Sequence, residues 1–131
     1  MSDAKKEKKP SILAVDDVPV VLTIIAAVLE SDYEVFCLNK GEQVENFLET
    51  NTPELFLLDI EMPGINGHEL VKVIRGFEKH KKTPIIFLTG NATIWNYQAA
   101  LEQGVAAVIA KPVDPEVLLE KVKEIIKKPL F

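Results

Sequence analysis

Residues 57–67 have the sequence Leu57-Leu58-Asp59-Ile60-Glu61-Met62-Pro63-Gly64-Ile65-Asn66-Gly67. The apolar run Leu55 to Leu58 stops at the carboxylate of Asp59, and a Pro-Gly turn and a second glycine follow before a helical pattern begins. A short apolar run bounded by turn residues indicates a buried strand. Asp59 is therefore predicted to lie where a strand ends and a loop opens, the edge at which ligands and chemistry collect in open α/β sheets.

The same unit, a short apolar strand followed by an amphipathic helix, occurs five times along the chain. The predicted strands are Ser11 to Val15, Tyr33 to Leu38, Leu55 to Leu58, Pro84 to Leu88 and Val105 to Ala110. The predicted helices begin at Pro19, Gly41, Gly67, Ala92 and Pro115. Apolar strands that alternate with amphipathic helices indicate a single α/β domain, with a parallel sheet covered on both faces.

Composition and charge argue against a nucleic-acid-binding protein, a membrane-spanning segment and a secretory signal. The 131 residues are 47% hydrophobic and carry a formal net charge of −5, which argues against a general nucleic-acid binder. No apolar run approaches the ~20 residues that a membrane span needs. Met1 to Pro10 is rich in lysine and lacks the apolar core of a secretory signal. We therefore expect a flexible leader over residues 1–10 and one domain over residues 11–128.

Several side chains have plain structural interpretations. Cys37, the single cysteine, is expected to be a small buried hydrophobe. His68 and His80 are expected at the surface, His80 within the solvated charge run from Glu78 to Lys82. The inward positions of the fourth helix are expected at Ile94, Ala99 and Leu101 or at their neighbours. The fifth strand is expected either to be well buried or to contribute its outer end to a partner surface, and burial is favoured because continuous apolar strands are the norm in parallel sheets.

Four of the five predicted strands end on a polar or charged residue. Asp16 and Asp17 follow the first strand, Asp59 the third, Thr89 the fourth and Lys111 the fifth. The C-terminal ends of parallel strands share one edge of the sheet. With the strand order 2-1-3-4-5, the first and third strands are neighbours, and the three carboxylates would cluster.

Three clustered carboxylates need a cation, because like charges disfavour joint ionisation. With only oxygen ligands on offer, Mg²⁺ is the favoured ion, since it binds one or two carboxylates and accepts phosphate oxygens. A carboxylate beside Mg²⁺ is a nucleophile toward phosphorus. The positive charge of Lys111 suits one phosphoryl oxygen, and the Thr89 hydroxyl could bind a second. Gly90 has no side chain and so leaves room for the phosphoryl group. The pattern suits phosphoryl transfer onto Asp59.

The chain resembles the receiver domains of two-component response regulators. The residues that carry the resemblance are Asp16-Asp17, Asp59 followed by Met62-Pro63-Gly64 and Gly67, then Thr89-Gly90, Gly104 and Lys111-Pro112. It covers Ser11 to Lys128. It implies a flavodoxin-like, doubly wound α/β fold with a five-stranded parallel sheet in the order 2-1-3-4-5 and five helices.

The resemblance also implies a role for each site residue. Asp59 matches the phosphoacceptor, Asp17 the direct Mg²⁺ ligand, and Asp16 a ligand that acts largely through water. The backbone carbonyl of Glu61 matches the third protein ligand, and its side chain is expected to affect access of water or metal. Further matches are a switch hydroxyl at Thr89 and a phosphoryl-contacting lysine at Lys111.

One position departs from the family pattern. Many receivers have an aromatic residue three positions before the lysine, where this chain has Val108, so an aromatic switch is not expected. The output surface is expected on the fourth helix, the fifth strand and the fifth helix. Its expected residues are Trp95, Tyr97 and Val108.

The sequence therefore predicts a cytoplasmic, phosphorylation-controlled signalling module that catalyses only its own phosphorylation and dephosphorylation. Its expected partners are a sensor histidine kinase or a histidine phosphotransfer protein and an unknown downstream protein, with no nucleic acid and no membrane. It would be a monomer or a phosphorylation-dependent dimer. The alternative is a small Mg²⁺-dependent phosphohydrolase that uses Asp59 as its nucleophile, with Glu61 as acid–base partner. A flavin carrier is set aside, because Asp16-Asp17 would repel a flavin phosphate.

Overall fold

The computed structural model describes residues 8–91 and 93–127, apart from the side chains of residues 94–96. The strands are β1 (Ser11–Val15), β2 (Glu34–Leu38), β3 (Leu55–Asp59), β4 (Ile85–Thr89) and β5 (Ala107–Ala110). The helices are α1 (Pro19–Leu29), α2 (Val44–Thr50), α3 (Gly67–Arg75), α4 (Ile94–Glu102) and α5 (Pro115–Ile125), with 3₁₀ turns at Gly41–Gln43 and Glu78–His80. Every predicted element is present, with ends that differ by a few residues.

All strand pairs are parallel, and the sheet order is β2-β1-β3-β4-β5. The predicted flavodoxin-like, doubly wound sheet is confirmed. The two faces of the sheet form two separate cores. Leu13, Phe56 and Phe87 point to the side of α2 and α3, whereas Ile12, Leu57 and Leu88 point to the side of α1 and α5. Alternate strand residues are thus buried on both faces, which explains the continuous apolar runs.

Local signals fix where the helices nearest the site begin. Pro19 occupies the first turn of α1, where its missing N–H has no intrahelical acceptor. The side chain of Asn66 accepts a hydrogen bond from Glu69 N at 2.9 Å, and Asn66 N donates one to Glu69 Oε1 at 3.0 Å. This capping box starts α3 at Gly67. Asp114 Oδ1 accepts from Glu116 N and Val117 N at the start of α5.

Both edge strands are less buried than predicted. Cys37 is exposed, so its interpretation as a buried hydrophobe is wrong. It lies on β2, which has a neighbouring strand on one side only. At the opposite edge, Ile109 of β5 is buried, but Ala107 and Val108 are half-buried and Ala110 is exposed. Of the two expectations for the fifth strand, the favoured one, that it is well buried, is therefore wrong as well.

The expected inward position near Leu101 is met by a neighbouring residue, and the expected surface position of His80 is wrong. Leu101 of α4 is 75% exposed, and its neighbour Ala100 is the buried position. His80 is fully buried, with its ring edge-on to Phe56 at a centroid distance of 5.0 Å. The charge run turns inward there because Arg75 donates to the backbone oxygens of His80 and Thr83, at 2.9 and 2.6 Å. Among the described residues, no helix has the length and apolar character needed to span a membrane.

Candidate functional site

The carboxyl ends of β1 and β3 bring three aspartates together. Val15 and Leu58 are register partners, so Asp16 and Asp59, the next residues of each strand, are neighbours. Both are buried, with 0% and 1% of their surface exposed, whereas Asp17 is half-buried. One carboxylate oxygen from each of the three lies within 4.8 Å of the others. The predicted cluster therefore forms at the predicted edge of the sheet.

Lys111 reaches this cluster from the end of β5. Its Nζ lies 2.9 Å from Asp16 Oδ2 and 3.2 Å from Asp59 Oδ2. Its backbone N–H donates to Thr89 O at 2.8 Å, and the Lys111–Pro112 peptide bond is cis. Burial would lower the pKa of Lys111, but the two carboxylates outweigh it and the pKa is raised. Lys111 is therefore a fixed cation between two buried acids.

The pKa of Asp59 is raised to about 7, from an ordinary value of 3.8. The main cause is burial, which penalises the charged form, and the second is repulsion by Asp16. Lys111 offsets part of this increase by attraction and hydrogen bonding. Asp59 therefore changes charge near neutral pH, where an ordinary aspartate is fully ionised.

Backbone groups hold the carboxylates in place. Val18 N donates to Asp16 Oδ1 at 2.9 Å, and Glu61 N donates to Asp59 Oδ1 at 3.1 Å. The chain passes very close behind Asp59, because a Cβ at Gly67 would lie 2.7 Å from the Asp59 carbonyl oxygen. Only glycine fits at Gly67 without a shift of the backbone. A Cβ at Gly90 would meet no protein atom within 4 Å.

Thr89, at the end of β4, is buried and bonded to Glu61. Its hydroxyl donates to Glu61 Oε2 at 2.6 Å and accepts a hydrogen bond from Asn91 N at 2.9 Å. Gly90 N donates to the other carboxylate oxygen of Glu61, at 3.2 Å. The sequence indicated an exposed acid two residues after Asp59, but it did not indicate these partners.

The donor set fits a hard divalent cation. Three carboxylates converge, and Asp16 Oδ2 is buried without a well-aligned hydrogen bond from the described residues, although Lys111 Nζ is 2.9 Å away. A buried carboxylate oxygen with spare acceptor capacity suits an oxygen-seeking ion such as Mg²⁺. The backbone carbonyl of Glu61 remains a predicted ligand.

A cavity of about 640 Å³ opens beside the cluster. It is lined by Asp17, by Asn39 and Lys40 of the loop after β2, and by Met62 and Gly64 of the loop after β3, among others. Of the three aspartates, the half-buried Asp17 is the one that this cavity reaches. Asn39 and Lys40 were not predicted to be site residues, although they directly follow β2.

The predicted output surface is partly described. Tyr97 of α4 is 44% exposed and Val108 of β5 is half-buried. Both line a groove of about 290 Å³ together with Leu101 and with Lys121 of α5. The side chain of Trp95 lies outside the described residues.

Comparison with known proteins identifies the family. The model of the response regulator receiver domain family matches residues 12–123. The chain is 38% identical, over 120 residues, to the CAI-1 autoinducer sensor kinase/phosphatase CqsS of Vibrio cholerae, covering 90% of this chain and 18% of that protein. It covers 52% of the regulatory protein VanRB of Enterococcus faecalis, at 31% identity over 89% of this chain. The chain thus spans about half or less of these relatives.

Solved structures agree with the fold. The chemotaxis protein CheY4 of Vibrio cholerae superimposes with a TM-score of 0.85 at 27% identity, covering 90% of this chain and 99% of that one. The receiver domain of a sensor histidine kinase from Pseudomonas aeruginosa, at 30% identity, has a TM-score of 0.81 and covers 92% and 99%. That protein holds a magnesium ion in its active-site cleft. By its sequence and its fold, this chain belongs to the response regulator receiver domain family.

Proposed function

We propose that this chain is a phosphorylation-controlled signalling module that accepts a phosphoryl group on Asp59. The donor would be a phosphohistidine on a sensor histidine kinase or on a histidine phosphotransfer protein, in the cytoplasm. The observation that carries the proposal is the setting of Asp59. It is buried at a strand end, its carboxylate is near that of Asp16, and Lys111 Nζ lies 3.2 Å from its Oδ2.

Each residue of the site would have a distinct role in phosphoryl transfer. One carboxylate oxygen of Asp59 forms a bond to phosphorus, while the bond from phosphorus to the donor breaks and its electron pair leaves with the donor. Lys111 stabilises negative charge on the phosphoryl oxygens, and the Thr89 hydroxyl and Gly90 N–H are donors for them. These donors come from two segments at the same sheet edge, Thr89-Gly90 at the end of β4 and Lys111 after β5, so phosphorylation of Asp59 would draw both segments toward the loop after β3.

Asp16, Asp17, Asp59 and the Glu61 backbone carbonyl are the groups that would hold Mg²⁺. When bound, the ion neutralises the carboxylates and the charge of the phosphoryl group. Asp16 and Lys111 are already paired. That pairing limits the repulsion between Asp16 and Asp59 when no metal is bound.

The output would be a change in protein–protein contacts of α4, β5 and α5. The exposed positions Tyr97 and Leu101 and the half-buried Val108 border one groove on this face. Movement of the Thr89 hydroxyl toward a phosphoryl group would be transmitted through β4 to β5, because Thr89 and Ala110 are register partners. The downstream partner would be a protein, bound by a monomer or by a phosphorylation-dependent dimer.

The alternative, a small Mg²⁺-dependent phosphohydrolase, requires Glu61 as an acid–base partner. The Glu61 carboxylate instead bonds to the Thr89 hydroxyl and to Gly90 N. Multiple turnover of a small phosphate ester such as p-nitrophenyl phosphate would favour this alternative. A single modification of the protein favours the signalling module.

Intact-mass spectrometry after incubation with acetyl phosphate tests the proposal. We expect the mass of one phosphoryl group to be added only in the presence of Mg²⁺, and acetate to be the leaving group. Asp59→Asn should add nothing, whereas the control Glu49→Gln, which replaces an exposed carboxylate of α2 that is not part of the cluster, should behave like the wild type. Equal modification of Asp59→Asn and wild type would refute the role of Asp59.

A further inference from the structure

The only hydrogen that the Thr89 hydroxyl can donate is already in a hydrogen bond. A hydroxyl has one hydrogen to donate, and that of Thr89 is directed to Glu61 Oε2 at 2.6 Å. The same oxygen accepts a hydrogen bond from Asn91 N at 2.9 Å. Because Thr89 is fully buried, solvent provides no second partner for the hydroxyl. The hydroxyl hydrogen that would bind a phosphoryl oxygen is therefore already donated to the carboxylate of Glu61.

The second donor is held by the same side chain. Gly90 N, which has a single hydrogen, donates to Glu61 Oε1 at 3.2 Å. The backbone of Glu61 is fixed beside the phosphoacceptor, since Glu61 N donates to Asp59 Oδ1 at 3.1 Å. One carboxylate thus spans both donors, in the manner of an anionic ligand, while the residue itself remains exposed.

We propose that Glu61 is an internal competitor of the phosphoryl group, and that its carboxylate must leave Thr89 and Gly90 before either donor binds a phosphoryl oxygen. This inference rests on the proposed function and adds to it the regulation of the same site. Phosphoryl oxygens only accept hydrogen bonds, so they compete with Glu61 for each donor. Both are anionic, so they also repel each other at short distance.

The position of Glu61 allows it to act reversibly. Because the residue is exposed, its carboxylate can swing into water without the cost of burying a charge. In the unphosphorylated protein it satisfies a buried hydroxyl that would otherwise lack an acceptor. Glu61 therefore stabilises the resting arrangement of Thr89 and opposes the phosphorylated one.

Titration with beryllium fluoride at saturating Mg²⁺ measures this competition without covalent chemistry, because the complex is a tetrahedral analogue of a phosphoryl group. Isothermal calorimetry gives its affinity for wild type, Glu61→Ala and the control Glu42→Ala. Glu42 is an exposed carboxylate whose side chain lies against Gly64 in the neighbouring loop. We expect Glu61→Ala to bind about tenfold more tightly, the effect of about one charge-assisted hydrogen bond, and Glu42→Ala to stay within about twofold.

Thermal unfolding separates this role from a purely structural one. Loss of two hydrogen bonds should lower or leave unchanged the melting temperature of Glu61→Ala, while its affinity for beryllium fluoride rises. In a Thr89→Val background, the gain from Glu61→Ala should shrink. The proposal is overturned if Glu61→Ala binds no more tightly than wild type, or if Glu42→Ala gains as much. If neither wild type nor any variant binds, the proposed function itself fails and this inference falls with it.

Discussion

The buried carboxylate of Asp59 is expected to destabilise the fold, so Asp59→Asn should stabilise it. The pKa of Asp59 is about 7 in the folded protein, against an ordinary 3.8. At about 1.4 kcal/mol for each tenfold change, this difference corresponds to about 4 kcal/mol. We expect Asp59→Asn to raise the free energy of unfolding by about 2–4 kcal/mol at about pH 8 without metal, the lower value allowing for relaxation around the charge.

The pH dependence has a definite sign. Below 3.8, Asp59 is protonated in the folded and unfolded chains, so the substitution changes little. As the pH rises from 3.8 to about 7, the unfolded chain loses this proton first, and the wild type is progressively destabilised relative to the variant. Above about 7 the difference is complete and no longer changes.

Urea unfolding in a chelating buffer at several pH values measures this difference. The control Glu49→Gln makes the same carboxylate-to-amide change at an exposed site and should alter the free energy of unfolding by less than about 0.5 kcal/mol. Added Mg²⁺ should stabilise the wild type more than Asp59→Asn, because it binds the folded carboxylates. The reasoning is refuted if Asp59→Asn is no more stable than the wild type at about pH 8, or if its advantage grows as the pH falls.

Two further predictions concern stability. Burial, together with the nearby charges of Lys79 and Arg75, lowers the pKa of His80 below its ordinary value of 6.5. As the pH falls below 6.5, the unfolded chain therefore binds a proton at His80 before the folded chain does, and the folded protein is destabilised. The advantage of wild type over His80→Gln in urea unfolding should therefore shrink between about pH 7.5 and 5, and a constant difference would contradict the buried neutral ring. Gly67→Ala should lower the free energy of unfolding by about 1–3 kcal/mol, because its Cβ would lie 2.7 Å from Asp59 O. Gly90→Ala, with open space at its Cβ, should change it by less than about 0.5 kcal/mol; equal effects would contradict the close approach.

The positions of Asp16, Asp59, Thr89 and Lys111 were predictable from the sequence. Each follows an apolar run, and in a parallel sheet the residue after each run lies at the same edge. Only the strand order was needed to bring them together, and the family resemblance supplied it. The distances, and the partners of Glu61, depend on side-chain rotamers that no sequence pattern specifies.

The wrong expectations share one physical cause, which is burial set by neighbours distant in sequence. Cys37 lies in an apolar run, yet β2 is an edge strand and the residue is exposed. His80 lies in a charge run, yet Arg75 and Thr83 fold that segment inward.

The most direct test of the account is to locate the phosphoryl group. After phosphorylation with acetyl phosphate and Mg²⁺, borohydride reduces an aspartyl phosphate to homoserine and releases phosphate. Peptide mass spectrometry should then find homoserine in place of Asp59 in the wild type, and unaltered aspartate at Asp16 and Asp17. Homoserine at another position, or a borohydride-resistant phosphate on a hydroxyl such as Thr89, would contradict the assignment of Asp59 as phosphoacceptor.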